Sequence, residues 1–307
     1  MANHFLTITD VTPAQLQRLV RRASAFKRNR KLGRRMLDGR TIALVFQKPS
    51  MRTRVAFEVA VLELGGSVVY LGQDDVRAGQ REPFKDVARV LSGYVHGIVA
   101  RTFAHRDAQE LAEFSRVPVI NGLSDEFHPC QAVADLLTIA EHRGRLRGAR
   151  VAYVGDGNNV LHSLAQGCGM VGVDLSVATP LRYRPEGKIW NDALRLAKRS
   201  GAALRWTQDP RDAVRGAQIV YTDVWVSMGQ ESERAPRLKI LRPYQVNGAL
   251  LEAAAPNASV MHCLPAHRGE EITDVVMESR RSLMFQQAEN RLHAHKAILE
   301  MLFKGVQ

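Results

Sequence analysis

Short apolar runs alternate with amphipathic helical patterns along almost the whole chain, and this alternation restricts the fold more than any other feature. Eight runs stand out, at residues 41–46, 67–71, 97–100, 117–120, 150–154, 174–178, 218–222 and 259–262. Each is followed by a helical pattern, and strands separated by helices pair in parallel with helices covering both faces of the sheet. The sequence therefore predicts an α/β fold of doubly wound parallel sheets.

The chain is long enough for two such sheets, because 307 residues correspond to about two domains. A long helix is predicted at residues 131–142, and Gly144 and Gly148 mark its end. We therefore expect a first domain of residues 1–142 and a second of residues 143–287. The long helix joins them, and a last helix within residues 288–307 returns to the first domain.

Composition indicates a globular protein of a reducing compartment. Hydrophobic residues make up 45% of the chain and charged residues 24%, which is ordinary for such a protein. No apolar run approaches the roughly 18 residues of a membrane span, and residues 1–10 lack a secretion signal. Cys130, Cys168 and Cys263 lie far apart, so we expect neither a disulfide framework nor a zinc site. A cytoplasmic protein without a membrane partner is predicted.

The positive charge is concentrated at the N-terminus. Residues 1–40 contain ten Lys or Arg residues against Asp10 and Asp38, so they carry +8 of the net +12. This charge has two interpretations, a solvated helix face with a basic turn, or a surface that attracts anions or a partner. Aromatic residues do not interleave with the charges, so no stacking surface for nucleic acid is expected.

Polar residues follow six of the predicted strands, at the point where each strand ends. In open α/β sheets, ligands bind beyond the carboxyl ends of the strands. Any one of these loops could be ordinary loop chemistry, but six together predict a binding site. They are residues 50–54, 101–102, 125–131, 155–159, 223–229 and 263–265.

The first of these loops has the pattern of an anion site. Ser50 is placed to cap a helix, whose N-terminus presents free N–H groups and the positive end of the helix dipole. Arg52 and Arg101 add cationic donors that suit a phosphate group. The plainer alternatives are a capped helix with a solvent-facing arginine at Arg52 and a surface ion pair at Arg101.

The loop Gly155-Asp156-Gly157-Asn158-Asn159 resembles a dinucleotide fingerprint but departs from it. Val160 occupies the third glycine position, and the next strand ends in Ala178-Thr179-Pro180, without an acid for a ribose hydroxyl. These departures argue against a nicotinamide-dependent dehydrogenase. The loop instead offers an asparagine amide to a carboxylate or an amine.

Two further loops supply candidate catalytic groups. His128 and Gln131 begin the long helix and can both donate to an acyl oxygen. Asp223 and Cys263 follow two strands and form a candidate anionic or nucleophilic pair. The plainer alternatives are a capping histidine and a buried cysteine that only fills space.

Together these motifs resemble the aspartate/ornithine carbamoyltransferase family, over nearly the whole chain. Ser50-Met51-Arg52-Thr53-Arg54 is similar to the family's Ser-Thr-Arg-Thr-Arg loop, and His128-Pro129-Cys130-Gln131 to its His-Pro-x-Gln. Four strings resemble the ornithine branch in particular, and the second and third of them are specific. They are Asp156-Gly157-Asn158-Asn159, Asp223-Val-Trp-Val-Ser227-Met228-Gly229, His262-Cys263-Leu264-Pro265 and Glu289-Asn290-Arg291.

The resemblance implies a role for each matching position. It implies catalytic roles for Arg101, His128, Asp223 and Cys263. The residues implied for carbamoyl phosphate are Ser50, Met51, Arg52, Thr53, Arg101, His128, Gln131, Cys263, Leu264 and Arg291. The residues implied for ornithine are Asn159, Asp223, Ser227 and Met228.

The resemblance also implies an activity and an assembly. The expected reaction moves the carbamoyl group of carbamoyl phosphate to the side-chain amine of L-ornithine. The expected assembly is a homotrimer or a multiple of trimers, with no metal and no organic cofactor. The family's Leu-Pro bond, here Leu264-Pro265, is expected to be cis.

Two positions depart from the family's pattern. Met51 replaces a threonine and removes one hydroxyl donor, but the backbone N–H at that position remains. Arg77 stands where relatives often carry Gln or His, and it is a candidate extra phosphate donor. The acceptor stays open between ornithine and another amine, such as putrescine, lysine or an N-acylated ornithine. A non-catalytic anion-binding protein of the same fold is a further alternative.

Overall fold

The computed structural model describes residues 4–76, 82–227 and 229–304. The chain forms two compact units, Met1–Leu137 with Asn290–Gln307, and Thr138–Glu289. The division falls inside the helix of residues 129–143, a few residues before the boundary predicted from the sequence. Each unit is built around its own parallel sheet.

The first unit contains a sheet of four parallel strands in the order β2-β1-β3-β4. The strand order reverses between β1 and β3. These are the two central strands of the sheet, and both are almost fully buried. These strands are β1 Thr41–Phe46, β2 Ser67–Leu71, β3 Gly97–Arg101 and β4 Val119–Leu123.

Helices follow the strands of the first unit as the alternation predicted. The first helix has Thr12 as its N-cap, with the hydroxyl accepting from the Gln15 N–H, and Pro13 in its first turn. The helices are α1 Pro13–Arg28, α2 Met51–Glu63, α3 Gln73–Val76, α4 Phe84–Tyr94, α5 His105–Phe114, α6 Pro129–Arg143 and α13 Met284–Lys304. Helix α6 continues into the second unit, and α13 begins there.

The C-terminal part of α13 is held to the first unit by charged contacts. Arg22 forms a bidentate pair with Glu300, at 2.6 and 2.7 Å. The Lys27 ammonium donates to Asn290 Oδ1 at 2.7 Å. The fully buried Lys296 ammonium pairs with Glu63 at 3.0 Å. These contacts fix the part of α13 that carries Arg291.

The second unit contains five parallel strands in the order β7-β6-β5-β8-β9. This is the doubly wound pattern, with the order reversing between β5 and β8. The strands are β5 Arg150–Val154, β6 Asp174–Ala178, β7 Leu204–Thr207, β8 Ile219–Thr222 and β9 Ser259–His262. Both sheets confirm the predicted fold class.

One described strand of the second unit, β7, was not predicted from the sequence. It is an edge strand that pairs only with β6, and its side chains are exposed or half-buried. A strand in that position does not need a continuous apolar run, and Arg205 interrupts this one. The helices of this unit are α7 Asn159–Val171, α8 Gly187–Ser200, α9 Pro210–Val214, α10 Arg234–Leu241, α11 Gly248–Glu252 and α12 Asp274–Met277.

Each sheet is covered by apolar side chains of its own unit. One cluster in the first unit joins α4 and α5 to β1 and β3 through residues such as Val45, Val87 and Leu111. A larger cluster in the second unit includes Val154, Val220 and Val260 from three neighbouring strands. No described helix has both the length and the apolar character needed to cross a membrane.

The turn from β5 to α7 depends on two glycines. Gly155 has φ +142°, a conformation that side chains disfavour. A Cβ at Gly157 would lie 2.5 Å from three backbone atoms, in Tyr183, Arg184 and Pro185. The backbone of residues 155–158 therefore passes directly against another loop, and this close approach sets the position of Asn158.

We expect Gly157→Ala to destabilise the protein by about 1–3 kcal/mol, because the added methyl meets backbone that cannot move aside. The matched control is Gly187→Ala in the first turn of α8, where an added Cβ meets nothing within 4 Å. The control should leave the Tm unchanged or slightly raised. Equal Tm values for the two variants would show that the close approach is not a constraint.

Candidate active site

The end of β1 leads into the N-terminus of α2, which is built as an anion site. The Ser50 hydroxyl accepts from the Thr53 N–H at 3.3 Å, so Ser50 caps the helix as predicted. Met51 is 68% exposed, which leaves its backbone N–H as its contribution to the helix N-terminus. Among the described residues, no ion pair or hydrogen bond involves the Arg52 side chain. A positive helix end and a cation therefore lie side by side.

Two buried arginines converge on Thr53. The Thr53 hydroxyl accepts from Arg291 Nη2 at 2.7 Å and from Arg101 Nη1 at 3.4 Å. Thr53 is fully buried, and Arg101 and Arg291 are only 5% and 3% exposed. Two guanidinium groups brought together at one hydroxyl favour an anionic ligand with several oxygen atoms.

His128 and Gln131 lie at the start of α6, and both are buried. Burial, together with the charges of Arg291, Arg101 and His295, holds the pKa of His128 well below its usual value. His128 is therefore a neutral imidazole at pH 7, with one ring N–H. Gln131 Nε2 donates to Asp135 at 2.8 Å, which orients the amide along the helix.

His295 belongs to the same cluster and was missed by the sequence analysis. Its ring stacks on Phe57 with the centroids 3.7 Å apart, and burial lowers its pKa well below the usual value. It lies one helical turn after Arg291 on α13. The spacing was visible in the sequence, but nothing there indicated that this face of α13 meets α2.

In the second unit, Asp223 lies at the centre of the candidate site. It follows β8, is buried, and accepts from two side chains. Asn158 Nδ2 donates to one carboxylate oxygen at 2.7 Å, and the Cys263 thiol donates to the other at 2.9 Å. The loops after β5, β8 and β9 are therefore joined through one carboxylate.

The asparagine that donates to Asp223 is Asn158, the neighbour of Asn159, which the sequence predicts as a ligand of the substrate. Asn158 Oδ1 also caps α7 by accepting from the N–H groups of Val160 and Leu161. Asn159 is the first residue of α7 and is half-buried. The two amides therefore lie at different places. Asn158 holds Asp223, and Asn159 lies in the first turn of α7.

The segment after β9 is fixed by His262. The Leu264 N–H donates to His262 Nδ1 at 2.9 Å, so the ring proton is on Nε2, which lies 3.1 Å from the buried Glu271 carboxylate. Leu264 has φ +59°, and the Leu264-Pro265 peptide is cis, as predicted. Asp223, His262 and Cys263 place ligand-type atoms within 4.8 Å of one another. Both nitrogens of His262 are nevertheless already hydrogen-bonded, so its ring is not available to a metal.

Arg237 anchors the loop that follows Asp223, and sequence reasoning did not identify it. Its guanidinium lies 3.1 Å from Asp156 and donates to the Trp225 carbonyl at 3.1 Å. It also lies over the Tyr183 ring, 4.5 Å from the centroid. Burial raises the pKa of Asp156 to about 7, against the opposing effect of Arg237.

The remaining predicted residues lie in or beside these groups. The N–H of the half-buried Ser227 donates to Gln230 at 3.1 Å, which closes the turn after Trp225. Met228 and Arg77 lie outside the described residues. The structure places Ser50, Met51, Arg52, Thr53, Arg101, His128, Gln131 and Arg291 in the first unit. It places Asn159, Asp223, Ser227, Cys263 and Leu264 in the second.

These groups have distinct chemical capacities. The first unit offers a helix N-terminus, two buried guanidinium groups and a neutral imidazole, which suit an anion with an acyl oxygen. The second offers a buried carboxylate held by an amide and a thiol, which suits an amine.

Comparisons with known proteins cover both units. Residues 3–141 match the family model for the carbamoyl-P binding domain of aspartate/ornithine carbamoyltransferase, and residues 147–302 match the model for its Asp/Orn binding domain. The ornithine carbamoyltransferase of Pyrococcus horikoshii is 50% identical over 98% of this chain and 96% of its own. The anabolic enzyme of that name from Pyrococcus furiosus is 49% identical, again over 98% and 96%.

A solved structure agrees with the fold over both chains. The ornithine carbamoyltransferase structure from Pyrococcus furiosus matches with a TM-score of 0.95 and 48% identity. The match covers 100% of this chain and 98% of that one.

Proposed function

The chain belongs to the aspartate/ornithine carbamoyltransferase family, and from that premise we propose that it transfers the carbamoyl group of carbamoyl phosphate to the side-chain amine of L-ornithine. The products are L-citrulline and phosphate. The observation that carries the proposal is the convergence of Arg101 and Arg291 on Thr53 beside the capped end of α2. These cationic groups and the helix N-terminus together fit the phosphate and the carbonyl oxygen of one small substrate.

The first unit binds carbamoyl phosphate in this proposal. The N-terminus of α2, with Ser50, the Met51 N–H and Arg52, holds the phosphate that leaves. Arg101, His128 and Thr53 lie together and stabilise the carbonyl oxygen as it gains negative charge. A neutral His128 suits that role, because its N–H donates without placing another full charge beside the arginines. Arg291 and Gln131 are the remaining residues of this unit that bind carbamoyl phosphate in the proposal.

The second unit binds ornithine in this proposal. The side-chain amine resembles that of lysine, with a reference pKa of about 10.4, so presenting it neutral at pH 7 costs about 4.6 kcal/mol. Asp223 attracts the ammonium and orients it, and the Cys263 thiol and Asn158 keep the carboxylate in place. Asn159 binds the substrate carboxylate, and Ser227 lies beside its aliphatic part. The roles of Met228 at ornithine and of Leu264 at carbamoyl phosphate rest on the resemblance of their motifs to the family.

The reaction needs no covalent intermediate. The neutral amine attacks the carbamoyl carbon, the new C–N bond forms, and the bond from that carbon to the phosphate oxygen breaks. The phosphate leaves with the electron pair of the broken bond, and the proton that the amine gives up passes to the leaving phosphate. We place the reaction in arginine biosynthesis, which the anabolic relative at 49% identity supports.

A location in the cytoplasm and a trimeric assembly complete the proposal. Three free cysteines, two of them buried, fit a reducing compartment. A row of exposed apolar side chains on one side of α2, at Met51, Val55 and Leu62, supports an interface between copies. Val69 of the edge strand β2 is exposed in the same unit.

We predict that Arg52→Ala and Arg101→Ala each weaken carbamoyl phosphate binding by about 10- to 150-fold, because a hydrogen bond to a charged group is worth about 1.5–3 kcal/mol. Isothermal titration calorimetry measures the affinity. Arg54→Ala is the matched control, since Arg54 lies on the same helix and pairs with Glu58 at 2.8 Å. Affinities within twofold of wild type for both test variants would refute the phosphate site.

We predict a strong preference for ornithine over putrescine, on the order of 10⁴ in kcat/KM, because putrescine leaves polar groups of the site unpaired. Asp223→Asn should lower turnover and leave the carbamoyl phosphate affinity unchanged. Asp192→Asn is the control, since that carboxylate lies on the outer face of α8 and pairs with Arg195. Comparable kcat/KM values for putrescine and ornithine would contradict the assignment of the acceptor.

We predict a solution mass of three chains of 34.2 kDa or a multiple of that. Leu62→Glu should lower the mass measured by light scattering after gel filtration, because it places a charge in the proposed interface. Leu181→Glu is the control, as it changes an equally apolar and similarly exposed side chain in the second unit. A wild-type mass of a single chain would rule out the trimer.

A further inference from the structure

The segment that follows β9 brings together three ligand-type atoms that lack hydrogen bonds. His267 Nδ1, Glu270 Oε2 and Glu271 Oε2 are buried, and none has a hydrogen-bond partner within the described residues. The three side chains offer ligand atoms within 4.8 Å of one another, and the His267 nitrogen lies 3.8 Å from the Glu271 oxygen. We propose that His267, Glu270 and Glu271 form a binding site for a divalent transition-metal cation of the Zn²⁺ class.

The burial of Glu271 is the strongest argument for a cation. Its side chain is fully buried. Oε1 accepts from the ring Nε2 of His262 at 3.1 Å and from the backbone N–H of His267 at 2.5 Å. Within the described residues Oε2 receives no donor, and it lies 3.8 Å from His267 Nδ1. A buried carboxylate oxygen without a partner is costly, and a cation bound to it removes that cost.

The two carboxylates are oriented by their other oxygen atoms. Arg234 pairs with Oε1 of Glu270, and His262 pairs with Oε1 of Glu271. Metal-binding carboxylates are typically held by such outer hydrogen bonds. The arrangement leaves Oε2 of each residue for a ligand.

The set of ligands selects the class of cation. One imidazole nitrogen and two carboxylate oxygens suit Zn²⁺ and its first-row neighbours, whereas Ca²⁺ and Mg²⁺ prefer oxygen ligands alone. Ligands of a tetrahedral Zn²⁺ lie about 3.4 Å apart at metal–ligand distances near 2.0–2.1 Å. The 3.8 Å between His267 Nδ1 and Glu271 Oε2 exceeds that spacing by about 0.4 Å, and the three side chains offer ligand atoms within 4.8 Å of one another. The His267 side chain is 42% exposed, which gives the ion access.

This site is separate from the group formed by Asp223, His262 and Cys263. Both ring nitrogens of His262 are hydrogen-bonded, and the thiol of Cys263 donates to Asp223. The two groups nevertheless meet at His262, which contacts Glu271 on one side and the Leu264 N–H on the other. A test must therefore distinguish binding at His267 from binding at the thiol.

The experiment titrates the chelator-treated full chain with Co²⁺, following visible absorption, and with Zn²⁺ by calorimetry. We expect ligand-field bands without a thiolate-to-cobalt charge-transfer band. His267→Ala should weaken binding at least 10- to 100-fold, the loss typical of even an outer partner. Glu278→Gln is the matched control, because this nearby carboxylate pairs with Arg268 and lies outside the cluster. Cys263→Ser should bind as the wild type does.

Three results would overturn the proposal. The first is that the wild type binds no metal at millimolar concentration. The second is that His267→Ala binds the metal as tightly as the wild type. The third is a thiolate-to-cobalt band in the wild type that is lost, together with metal affinity, in Cys263→Ser. Circular dichroism checks that each variant is folded. If His267→Ala does not fold, His267→Gln and Glu270→Gln replace it, and unchanged affinity in both counts against the site.

Discussion

Parallel pairing of buried strands is the constraint on which the rest of this structure depends. In a parallel sheet every strand points the same way, so every loop that follows a strand emerges at one edge. In the first unit, β1 and β3 are neighbours, which brings the capped end of α2 close to Arg101. In the second, β5 and β8 are neighbours, which brings Asn158 to Asp223. Both groups therefore form where the strand order reverses.

Each group is held together by polar side chains that satisfy one another away from water. Thr53 accepts from two arginines, and Asp223 accepts from an amide and a thiol. Polar groups are costly to bury unless they are hydrogen-bonded, and the hydrogen bonds then hold the donors and acceptors rigidly. Donors and acceptors that are already fixed stabilise developing charge without first reorganising.

Sequence reasoning found the loops of the site more reliably than the contacts within them. The contact of Asn158 with Asp223 was not predicted, because the direction of a side chain at a helix cap depends on the local backbone. Sequence reasoning did not find Arg237, which anchors Trp225 and Asp156 from a short helix that carries no motif. It also missed His295, because only the packing of α13 against α2 brings that ring to Phe57.

The sequence alone determined the fold class, eight of the described strands and the loops that carry chemistry. These depend on local patterns, since apolar runs, helix caps and short motifs are read over a few residues. The tertiary structure decided the order of the strands, the edge strand β7 and the partners of each buried polar group. Those features depend on residues that are distant in the chain, such as Thr53 with Arg291, and on the direction in which each side chain leaves the backbone. No local pattern contains that information, because it arises only when the sheets and helices pack.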